Sequence, residues 1–145
     1  MFVLKGGNRL AAAQLDSQLC FALYSASNRL TSIYRPILEP LGLTYTQFIV
    51  LMALWEEDNI SISRLAERAG LSKATMTPLL KRLEQKQLIQ RQYLADNERQ
   101  KNIVLTKAGR ELSQKSEAIT EQAFCETGLS KKQASEIIRL CRKIS

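Results

Sequence analysis

Cysteine is the residue type in this chain that most readily does chemistry. The 145 residues include three cysteines and no histidine, so the commonest general base and metal ligand is absent. Cys20 follows Asp16, a candidate N-cap, and a helix that began there would hold the thiol in its first turn. The helix dipole favours a thiolate in that position, and a thiolate reacts with peroxide to give a sulfenic acid. The alternative is that Cys20 is a small buried apolar side chain.

The other two thiols have different surroundings. Cys125 precedes Glu126-Thr127-Gly128 at a predicted helix end, and a loop there could carry it to a sulfenic acid, since a disulfide needs Cα atoms within about 7 Å. Cys141 continues the apolar stripe of the last helix, which predicts a core or interface position. Without histidine or a CxxC motif we predict no catalytic residue, no metal and no cofactor, which argues against a thiol peroxidase or any other enzyme.

Two short amphipathic helices lie between the first two cysteines. Apolar residues recur at i, i+3, i+4 and i+7 over residues 62–69 and again over residues 76–83. Only Gly70-Leu71-Ser72 separates them, which leaves room for the sharp turn of a helix-turn-helix. Ser72 is a plausible N-cap for the second helix. Its first turns then hold the side chains that would meet base edges in a major groove: Lys73, Ala74, Thr75 and Thr77.

The next residues predict a β-hairpin, or wing. β-prone runs at 88–94 and 102–105 flank a polar, turn-rich tip at 95–100, where Arg99 could enter a minor groove. Residues 61–110 hold eleven Lys or Arg and four Asp or Glu, so the whole net charge of +7 lies on this segment. That confinement predicts a phosphate-binding face rather than an ordinary solvated surface. The predicted DNA-binding residues are Ser72, Lys73, Ala74, Thr75, Thr77, Lys81, Arg82, Arg91, Arg99, Gln100 and Lys101.

Helices on both sides of this lobe predict a dimer. A long helix from about Gln14 is expected to break or kink near Pro36. Capping signals begin later helices: Thr44 with Gln47, Thr106, and Ser130 with Gln133. The helix that Thr106 begins is expected to continue to Gly128. Ile60 could form a short strand before the helix-turn-helix. The predicted fold is mainly α with a small β wing, a single domain over residues 1–145. Residues 14–43 and 107–145 form dimerisation helices, and residues 44–106 form a winged helix-turn-helix lobe. Two-fold symmetry would place the recognition helices about 34 Å apart on a pseudo-palindromic operator in double-stranded DNA.

The chain resembles the MarR family of winged-helix repressors over nearly its whole length. The family-typical residues are Leu65-Ala66-Glu67-Arg68-Ala69-Gly70-Leu71-Ser72 and the wing end Val104-Leu105-Thr106. Three stretches resemble the organic-hydroperoxide-sensing OhrR branch: Gln18-Leu19-Cys20-Phe21-Ala22-Leu23-Tyr24, Leu43-Thr44-Tyr45-Thr46-Gln47-Phe48 and Leu79-Leu80-Lys81-Arg82-Leu83-Glu84. The resemblance implies that Cys20 is the peroxide-reactive thiol and that Tyr34 and Tyr45 reach it across the dimer and support the thiolate. It also implies that Cys125 resolves Cys20 as an intersubunit disulfide. The wing tip departs from the family's Asp-x-Arg, with Asn97-Glu98-Arg99 in its place.

These observations predict a cytoplasmic, homodimeric repressor that is released from its operator when organic hydroperoxide oxidises Cys20. No apolar run approaches 18 residues, so no membrane span is expected, and the apolar start before Lys5 is too short for a signal peptide. A competing interpretation on the same fold is a regulator that binds an aromatic acid or drug in a pocket between the dimerisation helices and the lobe. A third is an architectural DNA-binding protein without a switch.

Overall fold

The computed structural model describes residues 11–94 and 97–144, except for the side chains of residues 94–99. The predicted class, mainly α with a small β wing, is confirmed. Within the described ranges the elements are α1 Leu19–Leu38, α2 Tyr45–Glu56, β1 Ile60–Ser61, α3 Ile62–Ala69, α4 Lys73–Gln85, β2 Ile89–Leu94, β3 Asn97–Leu105, α5 Lys107–Glu111, α6 Ser116–Glu126 and α7 Lys131–Cys141.

The α2 helix lies at the centre of the core. Phe48, Leu51 and Leu54 are fully buried, because a helix that is apolar all round must be enclosed by other elements. Its start is the predicted capping box: the Gln47 N–H donates to Thr44 Oγ1, and the Thr44 N–H donates to Gln47 Oε1 at 3.1 Å. In the described part of the chain no single helix is long and apolar enough to cross a membrane, and α1 and α2 pass on length and composition only as a pair bent by 75°.

The predicted helix-turn-helix is confirmed. Gly70 ends α3 in a left-handed conformation with φ +66°, which glycine adopts without strain. Ser72 Oγ then accepts the Thr75 N–H at 3.2 Å and caps α4. Pro78 lies inside α4 without ending it. Pro78 has no N–H to donate to the Ala74 carbonyl. Both residues lie on the exposed side of α4, where water can donate to that carbonyl instead.

The wing is an antiparallel hairpin with β1 added on its other edge, in the order β1-β3-β2. Ile89 pairs with Leu105 and Arg91 with Ile103, and the predicted short strand at Ile60 pairs with Ile103. Strand β3 begins at Asn97, so the predicted tip at 95–100 is wrong for residues 97–100. Backbone pairing with β2 extends the strand into a polar sequence that carries no apolar alternation. Residues 95 and 96 lie outside the described residues.

The first helix differs from its prediction at both ends. A 3-10 turn over Leu15–Ser17 precedes α1, which begins at Leu19. The predicted start near Gln14 and the N-cap at Asp16 are therefore wrong, since Asp16 lies within the 3-10 turn and Gln18 is the N-cap. Pro36 neither breaks nor ends the helix. It is exposed in the last turn, where its ring meets solvent and its missing N–H removes one hydrogen bond near the helix end.

The C-terminal helices follow their capping signals but not as one continuous helix. Thr106 Oγ1 accepts the Gly109 N–H at 3.1 Å and begins α5. A 3-10 segment, Leu112–Lys115, then separates α5 from α6, although the sequence predicts one continuous helix there. Gly128, with φ +71°, follows α6, and the predicted Ser130 capping box begins α7.

Close packing around Gly109 joins the core helix to α5. Trp55 Nε1 donates a 2.9 Å hydrogen bond to the Gly109 carbonyl, and the Phe48 ring meets Trp55 edge-on with centroids 6.0 Å apart. A Cβ at Gly109 would lie 2.1 Å from the Leu88 carbonyl oxygen, which already accepts the Thr106 N–H at 3.0 Å. This position therefore requires glycine for lack of space.

We expect Gly109→Ala to lower the free energy of unfolding by about 3 kcal/mol or more, the upper end for an overpacked site, because the blocking atom is backbone. Gly128→Ala is the control: nothing lies within 4 Å of its Cβ position, so only the left-handed backbone costs about 1 kcal/mol. Urea unfolding of both variants measures the difference. A Gly109→Ala midpoint equal to that of the parent would show that the backbone yields and that the close approach is not required.

Candidate DNA interface and thiol site

The second helix of the helix-turn-helix presents one continuous face to solvent. Its inner face consists of four buried residues: Met76, Leu79, Leu80 and Leu83. Ala74, Pro78 and Lys81 lie opposite at i, i+4 and i+7 and are exposed. The exposed residues beside them are Lys73, Thr75, Thr77 and Arg82. The structure therefore brings the α4 residues predicted to bind DNA onto the solvent-facing part of this helix.

Hydrogen bonds restrict three of the hydroxyl groups on this face. Ser72 Oγ lies 2.8 Å from Thr75 Oγ1 and also accepts the Thr75 N–H. Thr77 Oγ1 donates to the Lys73 carbonyl at 3.2 Å. Ser72 therefore holds the helix start in place, while Thr75 keeps acceptor capacity that a base edge could use.

Ion pairs divide the basic residues of the lobe into two sets. Most of the cations on α3, β2 and α5 have an acidic partner: Arg64 with Glu57, Arg68 with Glu56, Arg91 with Glu84, Lys107 with Glu111 and Arg110 with Asp58. Lys73, Lys81 and Arg82 have no acidic partner among the described residues. The uncompensated charge is thus concentrated on α4, where it would attract a phosphate backbone.

The predicted wing residues differ in their availability. Arg91 is half-buried, and its Nε lies 3.4 Å from Glu84 Oε2 without hydrogen-bond geometry, so it links β2 to α4. Gln100 is exposed. Lys101 is partly exposed, and its Nζ lies 4.8 Å from the centre of the Tyr93 ring. Arg99 belongs to β3, but its side chain lies outside the described residues.

Cys20 is an exposed thiol at the second residue of α1. The expected first-turn position is therefore correct, although the helix begins later than predicted. The Gln18 side chain forms no N-cap hydrogen bond; its Nε2 donates back to the Gln14 carbonyl at 2.9 Å. First-turn N–H groups without a side-chain acceptor favour an anion beside them.

Two tyrosines stack where α1 meets α2. The rings of Tyr34 and Tyr45 have centroids 4.7 Å apart, and Tyr34 packs 5.9 Å from Phe48. Burial raises the pKa of Tyr34, and the neighbouring Tyr45 raises it further; burial raises the pKa of Tyr45. Since a raised phenol pKa favours the neutral form, both hydroxyls remain hydrogen-bond donors at neutral pH.

These tyrosines cannot serve the thiol of their own chain. Tyr34 lies fourteen residues after Cys20 on the same helix, about 21 Å along its axis. Tyr24, by contrast, lies four residues after Cys20 on the same helical face and is 65% exposed. Tyr24 was not among the predicted site residues, although its i, i+4 spacing from Cys20 is readable once the helix is assigned.

The other two thiols are also exposed and free within one chain. Cys125 lies in the last turn of α6, so the predicted loop position is wrong: α6 continues to Glu126. Cys141 is the last residue of α7 and is not part of the core of this chain; an interface position stays a prediction. No cluster of three His, Cys, Asp or Glu side chains that could hold a metal ion lies within the described residues.

A link between α4 and the α1–α2 turn was not predicted. Lys86, the C-cap of α4, donates to the Gly42 carbonyl and, at 3.1 Å, to Gln47 Oε1. Gln47 is the buried capping-box residue of α2, so the end of the recognition helix and the start of the core helix share one acceptor. A surface lysine at a helix end carries no sequence signal for such a contact.

A surface cavity of about 530 Å³ lies between the end of α1 and the start of α2. Arg35 supplies a positive charge, and Tyr45 supplies an aromatic wall. Its other lining residues are Thr31, Glu39, Gly42, Leu43 and Thr44. The volume is within the range of small-molecule sites, and the arginine suits a carboxylate.

Comparison with known proteins gives consistent results. A model of the MarR family matches residues 43–101. The organic hydroperoxide resistance transcriptional regulator of Bacillus subtilis strain 168 is 36% identical over 133 residues, which cover 92% of this chain and 88% of that protein.

Solved structures agree in fold. Overoxidized AbfR bound to DNA, from Staphylococcus epidermidis, has a TM-score of 0.71 and 33% identity, covering 90% of this chain and 92% of that one. BpsR of Bordetella bronchiseptica, whose DNA binding is regulated by 6-hydroxynicotinic acid, has a TM-score of 0.83 and 25% identity, covering 92% and 97%.

We expect Lys81→Ala to weaken binding to every DNA duplex alike, because an ammonium on the outer face of α4 neutralises phosphate. The slope of log affinity against log salt should fall by about 0.9 for each phosphate that is no longer neutralised. Thr75→Ala should instead change the ranking of duplexes, since Ser72 Oγ still accepts the backbone N–H there. Lys132→Ala, on α7, is the control of equal charge. A Lys81→Ala slope equal to that of the control would remove α4 as the phosphate-binding element.

Proposed function

Because this chain belongs to the MarR family of DNA-binding transcriptional regulators, we propose that it is a homodimeric repressor released from DNA when an organic hydroperoxide oxidises Cys20. The observation that carries the proposal is the exposed thiol of Cys20 at the second residue of α1, in a first turn that has no side-chain acceptor at the N-cap. The name of the Bacillus relative supports an organic hydroperoxide as the oxidant, and the overoxidized state of AbfR supports oxidation in a protein of this fold.

The dimer is proposed from apolar surface that one chain leaves uncovered. Helix α7 buries none of its residues within one chain, and its large apolar side chains Ile137, Ile138 and Leu140 are 45–50% exposed. Leu15 and Leu19, at the other end of the chain, are 61% and 68% exposed. A second copy that covered both ends would bury this surface. We propose that the same dimer brings Tyr34 and Tyr45 of one subunit to Cys20 of the other, since the length of α1 separates Tyr34 from the thiol of its own chain.

Oxidation is proposed to follow ordinary thiol chemistry. The Cys20 thiolate attacks the terminal oxygen of the hydroperoxide; a sulfur–oxygen bond forms, the oxygen–oxygen bond breaks, and the peroxide leaves as an alcohol after taking a proton. The sulfur has lost two electrons and is a sulfenic acid. Tyrosine hydroxyls would donate hydrogen bonds to the thiolate: that of Tyr24 from the same subunit, and those of Tyr34 and Tyr45 from the other.

Cys125 of the partner subunit is proposed to resolve this intermediate. Its thiolate attacks the Cys20 sulfur, a disulfide forms, and the hydroxyl group leaves as water with one proton. The two Cα atoms must lie within about 7 Å of each other for this disulfide to form, so the oxidised dimer would hold the end of α6 close to the start of the other α1. Changing a dimer from 99% competent to 1% competent for DNA requires about 5.5 kcal/mol, and a covalent link compatible with one arrangement can supply it.

We expect Cys20→Ser to bind DNA as the parent does and to remain bound after stoichiometric organic hydroperoxide. Cys125→Ser should still be oxidised at Cys20 but form no disulfide-linked dimer, and it should proceed to irreversible oxides because no thiol resolves it. Non-reducing gels and DNA binding of the same samples measure both. Cys141→Ser is the matched control and should behave as the parent. Release of Cys20→Ser from DNA by peroxide would remove the mechanism.

We expect Tyr34→Phe and Tyr45→Phe to slow the oxidation of Cys20 about tenfold or more, the scale of removing a hydrogen bond to a charged group. Both rings stay, so the 4.7 Å stack and DNA binding by the reduced protein should persist. The second-order rate constant with an alkyl hydroperoxide measures the effect. Tyr93→Phe on the wing is the control; a rate equal to that control in both variants would exclude phenol donors.

The cavity between α1 and α2 supports a second candidate, a regulator responsive to an aromatic acid. Arg35 would pair with the carboxylate and Tyr45 would contact the ring. A neighbour of the same fold is regulated by 6-hydroxynicotinic acid. This function predicts release from DNA by aromatic acids in Cys20→Ser and loss of that release in Arg35→Ala, whereas the thiol switch predicts neither.

A further inference from the structure

We propose that Tyr93 and Lys101 form a phosphate-binding pair on the wing, in which the ring of Tyr93 holds the Lys101 ammonium against the DNA backbone. The inference rests on the proposed DNA-binding function and names a contact of that same interface. Tyr93 on β2 is directly opposite Lys101 on β3 in the strand register. The Lys101 Nζ lies 4.8 Å from the centre of the Tyr93 ring, a cation–π distance.

The exposure of Tyr93 is not explained by the core. The side chain is 61% exposed, the most exposed large apolar side chain in the described part of residues 44–106. Its ring therefore contributes little to burial and packs instead against a cation.

Strand alternation decides which side of the wing carries the pair. Ile89, Arg91 and Tyr93 follow one another at every second position and so lie on one face of β2. Ile89 is buried in the core, and the Arg91 Nε lies 3.4 Å from Glu84 on α4. Tyr93 continues this face beyond the edge of the core, so the pair lines the side of the wing that faces the recognition helix.

A duplex that accepts α4 in its major groove and the hairpin at the next minor groove carries a sugar–phosphate strand between the two elements. On this path the strand runs alongside the Tyr93 and Lys101 side chains. Contacts to phosphate fix the position of a protein on DNA without reading sequence. Since Lys101 has no acidic partner among the described residues, its ammonium is available for phosphate. Because the Tyr93 ring already holds the Lys101 side chain in place, this lysine loses less conformational entropy when it binds phosphate.

The test is a set of wing variants measured on two duplexes: one selected by the parent protein from a random pool, and an unrelated one of equal length. Lys101→Met would remove two phosphate contacts from a dimer. The slope of log affinity against log salt should therefore fall by about 1.8 on both duplexes. Tyr93→Leu should weaken binding to both duplexes by about 5- to 30-fold, because the dimer would lose two cation–π contacts at an exposed site. Tyr93→Phe, which keeps the ring, should bind as the parent does.

The double variant decides whether the two side chains act together. Tyr93→Leu with Lys101→Met should bind within about twofold of Lys101→Met alone, because the ring acts through the ammonium. Additive effects, or a Tyr93→Phe defect as large as that of Tyr93→Leu, would overturn the pair. Lys132→Met, on the polar side of α7, is the control for the loss of one positive charge.

The outcomes separate this inference from the proposed function. Salt-dependent binding by the parent with no weakening in Tyr93→Leu would refute the pair and leave the repressor assignment standing. A parent that enriches no duplex from the random pool and does not bind the unrelated one would overturn both. Both side chains lie on the surface, so circular dichroism melts should match the parent, and Lys101→Arg should retain the salt slope because the cation remains.

Discussion

The burial of α2 is the constraint on which the other elements depend for their positions. A helix that is apolar on every side cannot lie on a surface. Phe48, Leu51 and Leu54 are therefore fully enclosed by the end of α1, the helix-turn-helix, the sheet and α6. This enclosure holds the recognition helix at a defined place relative to α1, whose first turn carries Cys20.

Contacts around α2 form a continuous path from Tyr34 on α1 to Gly109 on α5. Tyr34 packs on Tyr45 and Phe48, Phe48 meets Trp55, and Trp55 donates to the Gly109 carbonyl. Lys86 makes a second connection, from the end of α4 to the α1–α2 turn and the buried Gln47. A movement of the dimerisation helices would therefore act on packed side chains rather than on loops. Packed side chains of this kind can carry coupling between distant sites.

Within the described part of the chain, the acidic residues of the lobe leave positive charge on α4 and on the wing without a partner. The acidic residues Glu56, Glu57 and Asp58 at the end of α2 pair with arginines on α3 and α5, which stabilises the lobe only modestly because these pairs are exposed. Lys73, Lys81 and Arg82 on α4 and Lys101 on the wing have no such partner among the described residues. The surplus of positive charge therefore lies on the exposed face of α4 and on the wing.

Features that depend on neighbours a few residues away could be predicted from the sequence alone. Thr44, Ser72 and Ser130 cap helices, Gly70 ends one, and the apolar spacing of α3 and α4 defines the helix-turn-helix, because each signal acts within one turn. Features that depend on distant partners are set only by the folded chain. Pairing with β2 extends β3 to Asn97, α1 continues through Pro36 to Leu38, and α6 continues past Cys125. The stacking of Tyr34 on Tyr45, the Lys86 link and the placement of Lys101 over Tyr93 join residues from different elements, and no local pattern contains that information.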